Sequence, residues 1–338
     1  MKVKGMKLRG RKALLVMAAA ASVLTATGCA AERIDPNEFD QVAPAFNGDD
    51  TVWEDSRNAE TDGTDIYRFT YSSATETKVA GGTGEQEQPA ISDQYIVWID
   101  RGTLRAESLQ PGSAPFNVTN GSATPTDPAV CGSLVVWSDT ANNSDIYAKN
   151  LPNGPEVPVA TSSAAEAYPA CDAGRVVYMY APTGGDADIK LYDVSTNQTT
   201  TVSNQLWNEW QPSISGNRVV WQAWPSQPDT TQGFDIFGKD LDTGQGFTVS
   251  TALGNQSAPV ISGSTVAWEN MPPPSQPQVP LIWWRDIATT MPQNGIPVDS
   301  ALGGSQQSPS LVGRNIAFQS NAAGPWNTYL AQLFFFAR

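Results

Sequence analysis

One short phrase recurs seven times along the chain and limits what the chain can fold into. Each copy starts with a proline, has an apolar side chain two positions later and an aromatic residue nine positions later. The prolines are Pro44, Pro89, Pro128, Pro169, Pro212, Pro259 and Pro309, and the aromatic residues are Trp53, Trp98, Trp137, Tyr178, Trp221, Trp268 and Phe318. Successive prolines are separated by between 39 residues (Pro89 to Pro128) and 50 residues (Pro259 to Pro309). This period is typical of propeller blades.

Each repeat offers four β-strand segments. The proline phrase supplies two strands around a tight turn, a phrase such as DIYAKNL at 145–151 supplies a third, and a run such as TTTVS at 199–203 supplies a fourth. One such sheet cannot bury both of its faces, so neighbouring repeats must stack on it and the ring must close. The sequence therefore predicts an all-β chain, a seven-bladed β-propeller of four-stranded blades with the recurring aromatic residue packed between blades.

The last repeat is one strand short. After NTYLAQL at 327–333 only FFFAR remains, whereas the segment AERIDPNEF at 31–39 precedes the first repeat and holds Ile34 about where a fourth strand would sit. We predict that this N-terminal strand pairs onto the last blade and closes the ring, which removes an exposed sheet edge.

The first 28 residues have the pattern of an export signal. A basic stretch, MKVKGMKLRGRK, precedes the apolar run ALLVMAAAASVL and the sequence TATGCA. The ending Ala26–Cys29 resembles a bacterial lipobox, which implies that Cys29 is lipidated and that acyl chains hold the protein at a membrane. An ordinary signal peptide with an incidental cysteine is the alternative. The predicted organisation is a lipoprotein signal peptide at 1–28, a tether and closing strand at 29–43, and a propeller at 44–338.

Charge and composition exclude several functions. The chain has 20 basic and 34 acidic residues, and six of the basic residues lie in 1–28, so the remainder carries 14 minus 34, or −20. This charge disfavours nucleic-acid binding, because a phosphate backbone would be repelled. The chain has no histidine, which removes histidine-based catalysis and histidine metal ligands. We therefore expect a monomer without metal or cofactor that is not an enzyme.

The repeats resemble the WD40-like propeller repeats of the TolB family. The resemblance is carried by PSISGNRVVW at 212–221, FDIFGKDLDTG at 234–244, AVCGSLVVW at 129–137 and SDIYAKNL at 144–151. It implies a propeller fold in a bacterial or archaeal envelope or surface protein. It implies no particular activity, because one fold carries many functions.

Tryptophans that the repeat does not require collect on the face that carries the variable loops. We predict a ligand-binding surface for a sugar or an extended peptide there, made of Trp207, Glu209, Trp210, Trp224, Trp284 and Trp326. The alternative is that these tryptophans only cover the blade ends.

Two further patterns have both a structural and a functional interpretation. An amide or acid stands three residues before the proline in six of seven repeats, namely at Gln41, Gln86, Glu166, Glu209, Gln256 and Gln306. These side chains are predicted to form a ring at the mouth of the central channel, where they either bond a neighbouring blade's backbone or face a ligand.

Cys131 and Cys171 lie on adjacent repeats and are a candidate disulfide pair, since export permits disulfides.

Together these patterns indicate a lipid-anchored, non-catalytic binding or scaffold module of the cell envelope, at the outer membrane, periplasm or cell surface. Its expected partner is an envelope protein or a glycan. A carbohydrate-active lyase or glycosidase on a propeller is one alternative, and a TolB-like component of an envelope complex is another.

Overall fold

Seven four-stranded sheets make up the computed structural model, which describes residues 29–120, 123–142, 144–224 and 233–334. The predicted all-β, seven-bladed propeller is confirmed. The predicted signal peptide at 1–28 lies outside the described residues. Within the described ranges, no helix has the length and apolar character needed to cross a membrane.

The strands follow one another from the inside of each blade to its outside. The inner strands of blades 1 to 7, which contact one another around the ring, are β2 (Gln41–Phe46), β6 (Gln86–Ile91), β10 (Pro125–Cys131), β14 (Ala165–Asp172), β18 (Asn208–Ser215), β22 (Asn255–Ser262) and β26 (Gln306–Val312). The second strands are β3 (Asp50–Asp55), β7 (Tyr95–Asp100), β11 (Leu134–Asp139), β15 (Arg175–Ala181), β19 (Arg218–Trp224), β23 (Thr265–Met271) and β27 (Asn315–Ser320).

The two outer strands complete each sheet. The third strands are β4 (Asp65–Thr70), β8 (Thr103–Ser108), β12 (Asp145–Asn150), β16 (Asp188–Asp193), β20 (Asp235–Asp240), β24 (Leu281–Asp286) and β28 (Asn327–Gln332). The fourth strands are β5 (Thr75–Ala80), β9 (Phe116–Asn117), β13 (Glu156–Ala160), β17 (Gln198–Ser203), β21 (Gly246–Ser250), β25 (Ile296–Pro297) and, in blade 7, β1 (Ala31–Arg33). A short 3-10 turn covers Thr140–Asn142.

A β-bulge interrupts every inner strand at the recurring proline. The register with the second strand shifts there in all seven blades, and the residue before the proline has a positive φ between 47° and 54° in each of them: Ala43, Gln88, Asp127, Tyr168, Gln211, Ala258 and Ser308. Proline disfavours the right-handed helical conformation in the residue before it, and a bulge bends the strand that carries it. The conserved proline phrase therefore marks the bend of the inner strand.

The recurring aromatic residues pack between blades, as the repeat predicts. Trp53, Trp98 and Trp137 are fully buried. Trp137, for example, lies in a cluster with Val97 and Leu104 of the preceding blade, and its ring stacks on Tyr147 of its own blade at 6.1 Å between centroids. Each hydrophobic core is thus shared by two blades, so a single blade has no core of its own.

The ring closes through the N-terminal segment, as predicted. β1 pairs antiparallel with β28, with Ala31 opposite Ala331 and Arg33 opposite Tyr329. Ile34 lies just past β1, and its N–H donates to the carbonyl of Thr328 at 2.9 Å. The first strand of blade 1 begins at Gln41, three residues before the predicted domain boundary at residue 44.

An arginine ties this closing segment to blade 1. The Arg57 guanidinium contacts Asp35 at 2.9 Å, Asp55 at 2.7 Å and Glu76 at 2.7 Å, and it lies 3.9 Å above the Tyr67 ring. Burial alone would raise the pKa of the fully buried Asp55, but hydrogen bonds from Arg57 and from the Trp53 indole hold it below its ordinary value. We call these residues the Arg57 clasp.

Candidate functional site

The structure separates the tryptophans that were predicted to share a binding surface. Trp284 is fully buried in the core between blades 6 and 7. Its prediction as a ligand residue is wrong, because side chains alternate along β24 and put it on the same buried face as Ile282. Trp326 lies between blades 7 and 1, where its backbone bonds Asp40 and Gln41, far from the blade-5 tryptophans along the ring.

The blade-5 tryptophans form two groups. Trp210 and Trp224 both pack edge-on against Phe234, at centroid distances of 5.3 and 4.9 Å. Trp224 is 47% exposed and lines an apolar cavity of about 530 Å³ with Leu253 and the prolines at 272–274. Trp207 belongs to a different cavity.

Trp207 and Glu209 both line a groove between blades 4 and 5, with a volume of about 330 Å³. We call it the blade-5 groove. Its walls come from β17 of blade 4 and from all four strands of blade 5: Val202, Ser203, Gln205, Trp207, Glu209, Trp221, Phe237, Gly238, Lys239, Gly244, Gly246, Phe247 and Thr248. The structure thus brings together Trp207 and Glu209 from the predicted set and adds rings that the sequence did not single out.

A glycine shapes one wall of this groove. A Cβ on Gly238 would lie 2.4 Å from the Phe247 ring, so only glycine lets that ring lie against β20. The neighbouring Phe237 packs against Trp207 at 5.2 Å between centroids. Phe237 and Phe247 were not predicted as site residues. The sequence does hold a sign of this wall, which appears when the repeats are aligned with one another. Gly238 occupies the position at which blades 3 and 4 have Ala148 and Leu191.

Glu209 is the buried acid of the groove. It is 0% exposed, and its Oε1 accepts hydrogen bonds from the Trp221 indole at 3.0 Å and the Ser203 hydroxyl at 2.6 Å. Its Oε2 has no hydrogen-bond partner among the described residues. Burial raises the pKa of Glu209 to about 7 and Asp188 adds to this rise, whereas hydrogen bonds from Ser203, Trp221 and the backbone of Ile189 oppose it. A buried acid with a shifted pKa in an aromatic groove is a functional-site candidate.

The stability of the protein should report this pKa. Because the pKa of Glu209 is higher in the folded state than in the unfolded chain, the folded state holds its proton more tightly, and stability is lost as pH rises from about 4.5 to about 7. In wild type, Glu209 should lower the free energy of unfolding by up to about 3 kcal/mol between pH 5 and pH 8, and Glu209→Gln should not show this fall. The measurement is urea unfolding of both proteins at the two pH values. Glu60→Gln, at an exposed position, is the control and should leave the pH dependence unchanged. Equal pH dependence in wild type and Glu209→Gln would contradict the prediction.

The six polar residues before the prolines are buried, each at most 2% exposed. They therefore do not face a ligand in an open channel, which was the functional interpretation of the predicted ring at the channel mouth. Their backbone N–H groups donate to the residue before the third strand of the preceding blade in all six cases: Gln41 to Trp326, Gln86 to Thr64, Glu166 to Ser144, Glu209 to Ala187, Gln256 to Phe234 and Gln306 to Pro280. Blade 3 has Pro125 at this position, and a proline has no N–H with which to make this bond. The side chains of Gln41 and Gln306 also accept hydrogen bonds from the preceding blade's backbone, from the N–H groups of Thr328 and Ile282 at 3.2 Å each, as the structural interpretation given above expects.

The two cysteine predictions concern different parts of the ring. Cys131 and Cys171 are bonded in a disulfide that joins blades 3 and 4, with 5.9 Å between their Cα atoms.

Cys29 is 5% exposed, and its sulfur accepts a hydrogen bond from the N–H of Phe334 at 3.0 Å. Burial raises the pKa of the Cys29 thiol. Acylation at this sulfur would require the chain at Phe334 to move aside.

The described residues contain no group of three or more histidine, cysteine, aspartate or glutamate side chains placed to hold a metal ion. The candidate site is therefore built from aromatic rings, one acid and one lysine. Lys239 is held at the groove by donating to the carbonyl of Val202 at 2.8 Å.

Solved structures with this architecture include enzymes. An oligogalacturonate lyase from Vibrio parahaemolyticus superimposes with a TM-score of 0.66 at 10% identity, over 91% of this chain and 97% of that one. The β-propeller domain of the Trilobed protease from Pyrococcus furiosus gives a TM-score of 0.56 at 9% identity, over 73% and 82%. TolB from Acinetobacter baumannii gives 0.47 at 13% identity, over 86% and 78%. No family model matches the chain, and no curated protein matches it in sequence.

These similarities show the fold, a β-propeller that the lyase and the protease domain share. They also correct one prediction. The expectation that the chain is not an enzyme is contradicted, because a lyase has the same fold over almost its whole length. The absence of histidine removes certain mechanisms but does not remove this fold from the enzymes that use it.

Proposed function

We propose that the protein recognises a neutral saccharide of the cell envelope in the blade-5 groove. The observation that carries this proposal is a groove whose walls are aromatic rings and whose buried acid has one oxygen without a partner. Aromatic walls with few, well-placed polar groups are typical of small-ligand sites. At about 330 Å³ the groove is at the lower end of the range for such sites, roughly 300–1,000 Å³, and would hold a short part of a chain.

Charge favours a neutral ligand over an acidic one. The whole chain has a net charge of −14, and Asp188 lies close enough to Glu209 to raise the pKa of that carboxyl group. The one cationic group in its wall, Lys239, is bonded to a carbonyl. A polyanionic glycan would be repelled by such a surface.

The proposal also includes four expectations from the sequence. They are a lipid anchor at Cys29, an envelope location, a monomeric state and the absence of a cofactor. Export is supported by the Cys131–Cys171 disulfide, because disulfides persist in oxidising compartments. A TolB-like role in an envelope complex remains the alternative for a protein partner, and crosslinking to a peptidoglycan-associated lipoprotein tests it.

A second candidate function uses the same groove. Glu209 combines burial with a pKa near 7, which is the property of a carboxyl group that exchanges protons near neutral pH. A carbohydrate-active enzyme is therefore a candidate as well. Incubation of the protein with oligosaccharides, followed by chromatography of the products, tests turnover, and Glu209→Ala should abolish it.

Binding is tested by calorimetry with chitohexaose, cellohexaose, maltohexaose and, as the acidic comparison, hexagalacturonate. We expect a neutral hexasaccharide to bind and Trp207→Ala to weaken it at least tenfold, because the substitution removes one aromatic wall of the groove. Trp224→Ala is the matched control, since Trp224 lies outside the groove. Loss of binding in Trp224→Ala with full binding in Trp207→Ala would move the site to the other aromatic group, and binding of hexagalacturonate alone would contradict the neutral ligand.

A further inference from the structure

Blade 5 has an acid where most blades have an amide. The position three residues before the recurring proline is glutamine in four blades and glutamate in blades 4 and 5. In three of the glutamine blades the amide nitrogen donates a hydrogen bond to a nearby loop: Gln41 to Asp35 at 2.9 Å, Gln86 to the Gly84 carbonyl at 2.8 Å and Gln306 to the Asp299 carbonyl at 2.6 Å. One terminal atom of this side chain therefore normally acts as a donor.

Glu209 can fill the same role only as a neutral acid. Its Oε1 already accepts two hydrogen bonds, from Trp221 and Ser203, whereas Oε2 has no partner among the described residues. A buried oxygen without a partner is costly, and an ionised one more so. An ionised carboxylate only accepts hydrogen bonds, but a protonated one also donates.

The Asp188 carboxylate opposes the ionisation of Glu209, and no lysine offsets it with an ion pair among the described residues. Asp188 of blade 4 lies close enough to raise the pKa of Glu209. On the same blade, the Lys190 ammonium lies 3.9 Å from the Asp188 carboxylate. On the blade-5 side Lys239 is engaged by the Val202 carbonyl at 2.8 Å. Neither lysine forms an ion pair with Glu209 among the described residues.

We propose that Glu209 binds the saccharide as the neutral acid and donates a hydrogen bond from Oε2 to a hydroxyl or ether oxygen of the ligand. This inference rests on the proposed function and names the specificity-determining contact of the same groove. The proton comes from solvent, so at alkaline pH each ligand bound takes up one proton. No bond of the saccharide is broken, and the proton stays on Glu209 in the complex.

Proton-linked binding gives a distinctive pH profile. When only the neutral acid binds, the dissociation constant rises tenfold for each pH unit above the pKa of the group. With a pKa of about 7, the affinity at pH 8.5 should be lower than at pH 5.5 by about thirtyfold. Glu209→Gln is neutral at both pH values and retains a donor, so its affinity should be the same at both.

The experiment is calorimetry of the full chain with chitohexaose, cellohexaose and maltohexaose at pH 5.5 and pH 8.5, in two buffers of different ionisation enthalpy. Wild type should show the loss of affinity and the uptake of a proton at pH 8.5, and Glu209→Gln should show neither. Glu166→Gln, the same exchange in blade 4, is the matched control and should retain the wild-type profile, because Glu166 does not line the groove.

Three results would overturn the inference, and they differ from a failure of the proposed function. Wild-type affinity that is equal at both pH values without proton uptake contradicts it. So does a wild-type profile in Glu209→Gln, or loss of binding in a folded Glu209→Gln at pH 5.5 while wild type binds. Absence of binding by wild type at pH 5.5 instead contradicts the proposed function itself, and this inference with it.

Discussion

Replacing Arg57 by alanine is expected to lower the free energy of unfolding by about 3–5 kcal/mol. Arg57 contacts three carboxylates within 2.9 Å, and Asp55 among them is fully buried. Without the guanidinium, Asp55 would keep only the Trp53 indole and Asn37 amide as side-chain donors, and a buried charge would be left uncompensated. The segment that closes the ring would also lose its ion pair with blade 1 through Asp35, and Asp35 would keep only its hydrogen bonds from Asn37 and Gln41.

The measurement is equilibrium unfolding in urea at pH 7, followed by tryptophan fluorescence. Arg101→Ala is the matched control, because Arg101 also pairs with a carboxylate, Asp100, but its side chain is 64% exposed. Exposed ion pairs contribute little, so this variant should stay within about 0.5 kcal/mol of wild type. A loss below about 1 kcal/mol in Arg57→Ala would show that the clasp is not needed to hold the closing strand.

Replacing Trp137 by alanine should cost a similar amount, about 3–5 kcal/mol. Trp137 is fully buried between blades 2 and 3, and its removal leaves a cavity against residues of both blades. The adjoining sheets cannot collapse into the space, because each is held in register by its own strands. The packing between blades 2 and 3 should therefore be weakened.

Thermal unfolding by circular dichroism compares this variant with Trp224→Ala. Trp224 is 47% exposed, and its replacement should shift the unfolding temperature far less. Equal shifts of the unfolding temperature in the two variants would mean that the recurring aromatic residues do not stabilise the contacts between blades.

The fold could be predicted almost completely from the sequence, because its information repeats. Seven copies of one pattern specify the strand number and the buried aromatic residue, and each copy supports the others. The β-bulge at the proline was not predicted. The pairing of the N-terminal strand with the last blade was also predicted, and β1 does pair with β28.

The site was predicted less well, because it depends on what differs between blades. Exposure of a tryptophan cannot be inferred from its presence in a loop or at a strand end, and Trp284 proved to be core while Trp224 is exposed. For the polar residues before the prolines, the spacing left two interpretations open, and the hydrogen bonds to the preceding blade support the structural one. The Phe247 wall depends on the missing side chain of Gly238, which only becomes visible when the blades are compared with one another.

The position of β1 in blade 7 has a consequence for orientation. A tether that leaves from Cys29 starts at the outer edge of blade 7, whereas the groove lies between blades 4 and 5. These points are two and a half blades apart, or roughly 130° around a sevenfold wheel. With the proposed acyl anchor at Cys29, the blade-5 groove would face away from the lipid leaflet that holds the protein, towards polymers at a distance from the membrane surface.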